Sequence, residues 1–181
     1  STSVSITGSE KIETSESVIG GSLLHLTLDG ESSSSSISGT SSVFVDAENA
    51  TLGDEVIGGS YVRQRDSKVT NTASVTVEST SVTIQNGTVK GASGTMAADV
   101  EGQASIQMTG GTVHGVIGGG LSYAYDTTGK FVSTSAVGSS AVSISGDSTV
   151  EAITYLAAGD EVNISAAVVG GGVSWNKKNS E

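Results

Sequence analysis

Ala104 to Gly120, ASIQMTGGTVHGVIGGG, holds three short strand-like runs separated by glycine. Ala104-Ser105-Ile106 alternates apolar and polar, so one side of the run is buried and the other wet. Gly110-Gly111 then leads into Thr112-Val113, and Gly115 leads into Val116-Ile117 and the triplet Gly118-Gly119-Gly120. Strand, corner, strand, corner, strand is the outline of one solenoid coil. A coil this small cannot bury its own apolar stripe, so its core must come from coils stacked above and below.

The neighbours are present on both sides of this stretch. Its last element recurs at Val18-Ile19-Gly20-Gly21-Ser22, Val56-Ile57-Gly58-Gly59-Ser60 and Val168-Val169-Gly170-Gly171-Gly172, with separations of 38, 60 and 52 along the series. Its first element recurs at Val4-Ser5-Ile6, Val43-Phe44-Val45, Val75-Thr76-Val77, Val82-Thr83-Ile84, Val142-Ser143-Ile144 and Val162-Asn163-Ile164. Asn86-Gly87-Thr88-Val89 and Gly146-Asp147-Ser148-Thr149-Val150 repeat the middle turn. A further strand follows each glycine cluster, from Leu23, Tyr61, Leu121 and Val173. After the first three, a polar turn and a Ser/Thr-rich return suggest a β-arm inserted at one corner of the coil. Arms of variable length account for the unequal separations.

Composition agrees with this reading. Aromatic residues are 4% of the chain, which is too few for an ordinary β-sandwich core. Val, Ile and Thr favour pleated strands, and the 25 glycines supply corners. A glycine-rich phosphate loop would need a following helix, and here the following residues are strand-like. There is no cysteine, hence no disulfide framework and no thiolate metal site. The net charge of −11 argues against nucleic acid and against an anionic membrane surface. No stretch is long and apolar enough for a spanning helix, so direct membrane insertion of this segment is not expected.

The expected architecture is therefore all-β: a right-handed parallel β-helix over residues 1–181, with short β-arms after glycine-rich corners. About five to eight coils would result at roughly 20–25 residues each, a usual solenoid repeat. The chain opens inside a strand-like run and stops just after a repeat begins, which suggests a segment of a longer surface protein. The pattern weakens at Gly91 to Ala98 and at Ala157-Ala158-Gly159-Asp160.

Ala104 to Gly120, then Val142 to Val150 and Val162 to Gly172, resemble the repeats of bacterial autotransporter and related adhesin passenger regions. Ser17 to Ser22 and Glu55 to Ser60 are weaker copies. The resemblance implies a β-helical rod held at the bacterial cell surface or secreted, serving attachment, aggregation or display. It implies a structural or adhesive role and no enzyme activity. Partners would be host or bacterial surface glycans or proteins, with self-association as a further option, and no cofactor is expected.

Aligning the glycine clusters places Leu23, Tyr61, Leu121 and Val173 in one column, with His25, Arg63, Tyr123 and Trp175 in the next. The first column would pack on the coil. The second would present large flat side chains, the usual means of gripping sugar rings. Tyr61, Arg63, Arg65, Tyr123 and Trp175 are therefore the candidate ligand-binding residues. His25 and His114 lack a second histidine nearby, so neither a histidine metal site nor a catalytic triad is supported. Asp54-Glu55 and Asp160-Glu161 read as solvated turn carboxylates, with weak surface calcium binding as the rival. The wet faces of the strands form a column of Ser5, Thr76, Thr83, Ser105, Ser143 and Asn163. Two other functions compete with the adhesive rod. A polysaccharide-degrading β-helix enzyme would need paired carboxylates in a groove, and an ice-binding protein would need a regular threonine array.

Overall fold

The computed structural model describes residues 1–26, 32–64, 72–126, 131–132, 135–152, 154–157, 160–163 and 167–178. Among them the chain forms fifteen strands and no helix. Thirteen strands join one sheet, paired in parallel throughout except where Phe131–Val132 meets Ala124 and Tyr125. The register shows how the sheet closes on itself. Val4, Val43, Val82, Ile106 and Val142 are successive partners on five rungs. Thr14, Leu52, Val89, Val113 and Val150 form a second such ladder. Val18, Val56, Ala92, Val116 and Val168 form a third. Each rung meets the next at three places in the same order. The fold is the expected parallel β-solenoid.

The inward residues of the three ladders make one elongated core. Val43, Val45, Leu52, Val56, Val82, Ile84, Val89, Ile106, Met108, Val113 and Val116 are all buried in it. Val4, Ile6, Val18, Val142 and Val150, on the first and last coils, are only partly buried against it. Burial of a Val, Ile or Leu side chain contributes about 1.5–3 kcal/mol, so stacking is the main source of stability here.

Along the first ladder the rungs are 39, 39, 24 and 36 residues apart. Only the third coil has the length expected of a bare repeat; the others carry arms or insertions. That coil contains Gly91 to Ala98, where the sequence pattern weakens, and it is a complete corner written in small residues. Ala92 and Ser93 pair with Val56 and Ile57 on one side and with Val116 and Ile117 on the other. The register then shifts between Ser93 and Thr95. Ala97, at φ 53°, is the only non-glycine with positive φ among the described residues. Its N–H donates to the Leu121 carbonyl at 2.8 Å, and the chain turns straight into the strand Asp99–His114 without forming an arm.

The second weak stretch has a different origin. Thr154–Ala157 and Asp160–Asn163 pair antiparallel as a separate two-stranded sheet. Val162-Asn163 therefore belongs to an inserted hairpin and to none of the coil ladders, contrary to the sequence reading. Alternation alone does not distinguish a hairpin strand from a coil strand, because both have period two.

The glycines act in two ways, divided by place. In the middle turns they supply positive φ, as at Gly87 (102°) and Gly111 (80°). At the corners they permit close backbone approach: a Cβ on Gly20 would lie 2.5 Å from the Gly58 carbonyl oxygen, and one on Gly94 would lie 2.7 Å from that of Gly119. Neither a turn nor a phosphate is needed to explain the corner clusters.

Candidate functional site

The arms leave the solenoid just beyond the corner glycines. At their base Leu23, Tyr61, Met96, Leu121 and Val173 are successive partners on the five rungs. Sequence alignment found four members of this ladder and missed Met96, whose copy of the motif has lost its glycine pair. Leu121 and Met96 are buried, while Tyr61 and Val173 pack at the margin of the same cluster. Val62 and Val75 are buried in it as well, one on the way out along the second arm and one on the way back. The arms are thus rooted in a second apolar core.

Two residues further out lies the column expected to bind ligand. His25 pairs with Arg63, and Tyr123 pairs with Trp175. The four do not form one continuous row, as the alignment implied. The third coil turns back at Met96 to Ala98, so it contributes no arm residue between Arg63 and Tyr123. The column is two pairs, on two separate packs of arms. Tyr61 stands below Arg63 in the arm-base ladder, and Arg65 lies outside the described residues.

The place vacated by the missing arm is partly taken by the fourth arm itself. Val173–Lys178 holds one edge of the strand Val116–Asp126, so Phe131–Val132 must pair along the opposite edge, toward the third coil. The Ser135 hydroxyl then donates to the Ala98 carbonyl at 2.6 Å. A Cβ on Gly120 would collide with the Ser135 side chain, which shows how closely the returning chain crosses the corner.

The outer faces of the coil carry rows of small polar side chains. Thr51, Thr88, Thr112 and Thr149 are partners on four consecutive rungs, with Glu13 completing the row on the first. On another face Ser3, Ser42, Ser81 and Ser105 form one row, and Ser5, Phe44, Thr83, Gln107 and Ser143 form the next. The sequence reading merged members of these two rows. It also added Thr76, which pairs with Ser36 and Asp99, and Asn163 of the inserted hairpin. It missed the threonine row because arms space its members unevenly; the Thr-Val after each middle turn was the available signal.

Charged groups on these faces pair across rungs. Asp54 accepts from the Ser17 hydroxyl at 2.8 Å and lies 3.6 Å from Lys90 Nζ. His114 Nδ1 lies 3.0 Å from Glu151 Oε2. The two ion pairs lie at the surface, with at least one partly exposed member each, and contribute little to stability. Glu55 departs from the sequence reading: it is buried, with its carboxylate laid against Gly91, and is no solvated turn residue. Asp160 and Glu161 fall within the inserted hairpin. Among the described residues no three His, Cys, Asp or Glu side chains are grouped to hold a metal ion, and no helix is long and apolar enough to cross a membrane. Compared with known proteins, the chain matches no family model, no curated protein and no solved structure.

Proposed function

We propose that this chain is a structural and adhesive segment of a bacterial cell-surface or secreted protein, contacting surface glycans through its arms. The observation that carries the reading is the direct pairing of Tyr123 with Trp175 on adjacent arms. Strand spacing of about 4.8 Å puts two aromatic residues within reach of one sugar ring or of successive rings in a chain. The solenoid provides a long stable support, and the acidic, cysteine-free composition suits an exposed extracellular setting. The resemblance of Ala104 to Gly120 to passenger-type repeats points the same way. Binding of the chain to a glycan array and to whole cells tests the reading, with Tyr123→Ala plus Trp175→Ala as the loss variant. Undiminished binding by that double variant would overturn it.

Ice binding is the second reading, and the threonine row at 51, 88, 112 and 149 favours it. Against it, the row two residues on carries Lys90, His114 and Glu151, which breaks the flatness that an ice face requires. Thermal hysteresis distinguishes the two readings.

A further inference from the structure

Asn86-Gly87 is the only Asn-Gly pair in the sequence, and it makes the middle turn of the third coil. Asn86 is exposed there. Gly87 takes φ 102° and is skipped by the registers on both sides. On one side the partners run from Asp46–Asn86 straight to Thr51–Thr88, and on the other from Ile84–Met108 straight to Thr88–Thr112. With no Cβ beside it, the Gly87 nitrogen is unshielded. The Asn86 side chain is held by one contact, in which Nδ2 donates to Asp46 Oδ1 of the second coil at 2.7 Å. Space around the turn is short. A Cβ on Gly87 would lie 2.9 Å from the Ala47 carbonyl oxygen, and one on Gly111 would lie 2.7 Å from the Gly87 oxygen. Two residues on, Val89 is fully buried between its partners Leu52 and Val113.

We propose that Asn86 is a site of spontaneous deamidation, and that its conversion loosens the solenoid at this turn. The Gly87 backbone nitrogen attacks Cγ of Asn86 and closes a five-membered imide. The N–Cγ bond forms, the Cγ–Nδ2 bond breaks, and Nδ2 leaves as ammonia with the proton from the Gly87 N–H. Water then opens the ring. Breaking the new N–Cγ bond gives aspartate. Breaking the older bond, between the Gly87 nitrogen and the Asn86 carbonyl carbon, gives isoaspartate, whose main chain runs through Cγ. Aspartate replaces the hydrogen bond to Asp46 with two like charges directly opposite each other, which destabilises the pair. Isoaspartate adds a backbone methylene where the stacked turns leave no room, and it displaces Val89 from its ladder. Asp46 is the brake on the reaction. It restrains the amide, and its charge opposes the negative charge that builds on the attacked oxygen. Asn49 supplies the contrast, since it is exposed at the same turn of the second coil and its Nδ2 donates to the Ser9 carbonyl at 2.8 Å. Ala50 follows it, and the Ala50 Cβ shields the nitrogen that would attack.

Ageing the chain in mildly alkaline buffer at physiological temperature tests the proposal, with peptide mass spectrometry and enzymatic methylation of isoaspartate as readouts. Aspartate and isoaspartate are expected to accumulate at Asn86, with Asn49 slower by about tenfold or more. Asp46→Ala is expected to speed the reaction at Asn86 severalfold. The aged protein, and Asn86→Asp without ageing, should both melt about 2–4 °C lower or more. Gly87→Ala is strained at φ 102°, so the blocked form is Asn86→Gln, which keeps an amide but closes the smaller ring no longer. Its melting temperature should hold through the same ageing. An Asn86 that stays intact overturns the proposal. So do equal rates at Asn49 and Asn86, a rate unmoved by Asp46→Ala, or ageing that lowers the melting temperature of Asn86→Gln just as much. Glycan binding by the arms is measured separately and does not bear on this result.

Discussion

Met96 pairs with Tyr61 on one side and with Leu121 on the other, and so carries the arm-base ladder across a coil that has no arm. Without it the second arm and the fourth would stand on separate foundations. The third coil has given up its projection but kept the apolar residue that the projection would have sprung from.

Truncating Met96, which is 7% exposed, should therefore cost more than the flexible side chain suggests. Met96→Ala is expected to destabilise the chain by about 2–5 kcal/mol, the range for buried Met and Leu truncations. Urea denaturation measures it. A loss under about 0.5 kcal/mol would place Met96 on the surface.

The glycine corners yield a sharper contrast. A Cβ on Gly94 would meet the Gly119 oxygen at 2.7 Å and the Ala104 Cβ at 2.8 Å, whereas one on Gly170 would meet nothing within 4 Å. Gly94→Ala should destabilise by about 1–3 kcal/mol or more, as overpacking does, and Gly170→Ala should stay within about 0.5 kcal/mol. Equal melting temperatures for the two variants would contradict the close stacking of backbones.

Ile106 and Ile144 look equivalent in the repeat, yet they differ in depth: 1% exposed against 39%. Ile106→Ala should cost about 2–5 kcal/mol, and Ile144→Ala less than about 1 kcal/mol, as measured by urea denaturation. The difference follows from packing: Ile106 is enclosed in the core between Val82 and Val142, while Ile144 is covered on the Met108 side only.

Ser41 is buried, and its hydroxyl donates to the Gly58 carbonyl at 2.7 Å across the coil interior. Ser41→Ala removes the donor and leaves that acceptor short of one partner. A loss of about 1–2 kcal/mol is expected, close to the usual effect of one buried hydrogen bond. Thermal or urea unfolding checks it.

The division of the arms into two packs makes a prediction for glycan binding. Tyr123→Ala and Trp175→Ala act on one pair of partners and should be non-additive. Arg63→Ala lies on the other pack and should add independently to Trp175→Ala, as well-separated sites do. Calorimetric titration of the three single variants and the two doubles with a bound oligosaccharide gives the coupling directly.

Much of the architecture was legible in the residues. Val4-Ser5-Ile6 and its copies announce one buried face, and the glycines after Val-Ile announce corners, because both signals are local and depend on side-chain period and backbone freedom. The copy at Ala92-Ser93-Gly94-Thr95 was not legible. Small residues replace the apolar pair there, and only its partners on each side identify it. The candidate site was half legible. The column His25, Arg63, Tyr123 and Trp175 was found by alignment, but its break into two pairs depends on a turn at Ala97 that composition does not mark.

By itself the sequence determined that the chain winds into parallel coils with glycine corners, since alternation, corner spacing and a shortage of large rings leave few other ways to bury so many Val and Ile residues. Only the tertiary structure decided which copies become neighbours and which coil loses its arm. Those are matters of register between segments 24 to 39 residues apart. Register is set by the joint packing of all three ladders, which no single stretch of chain encodes.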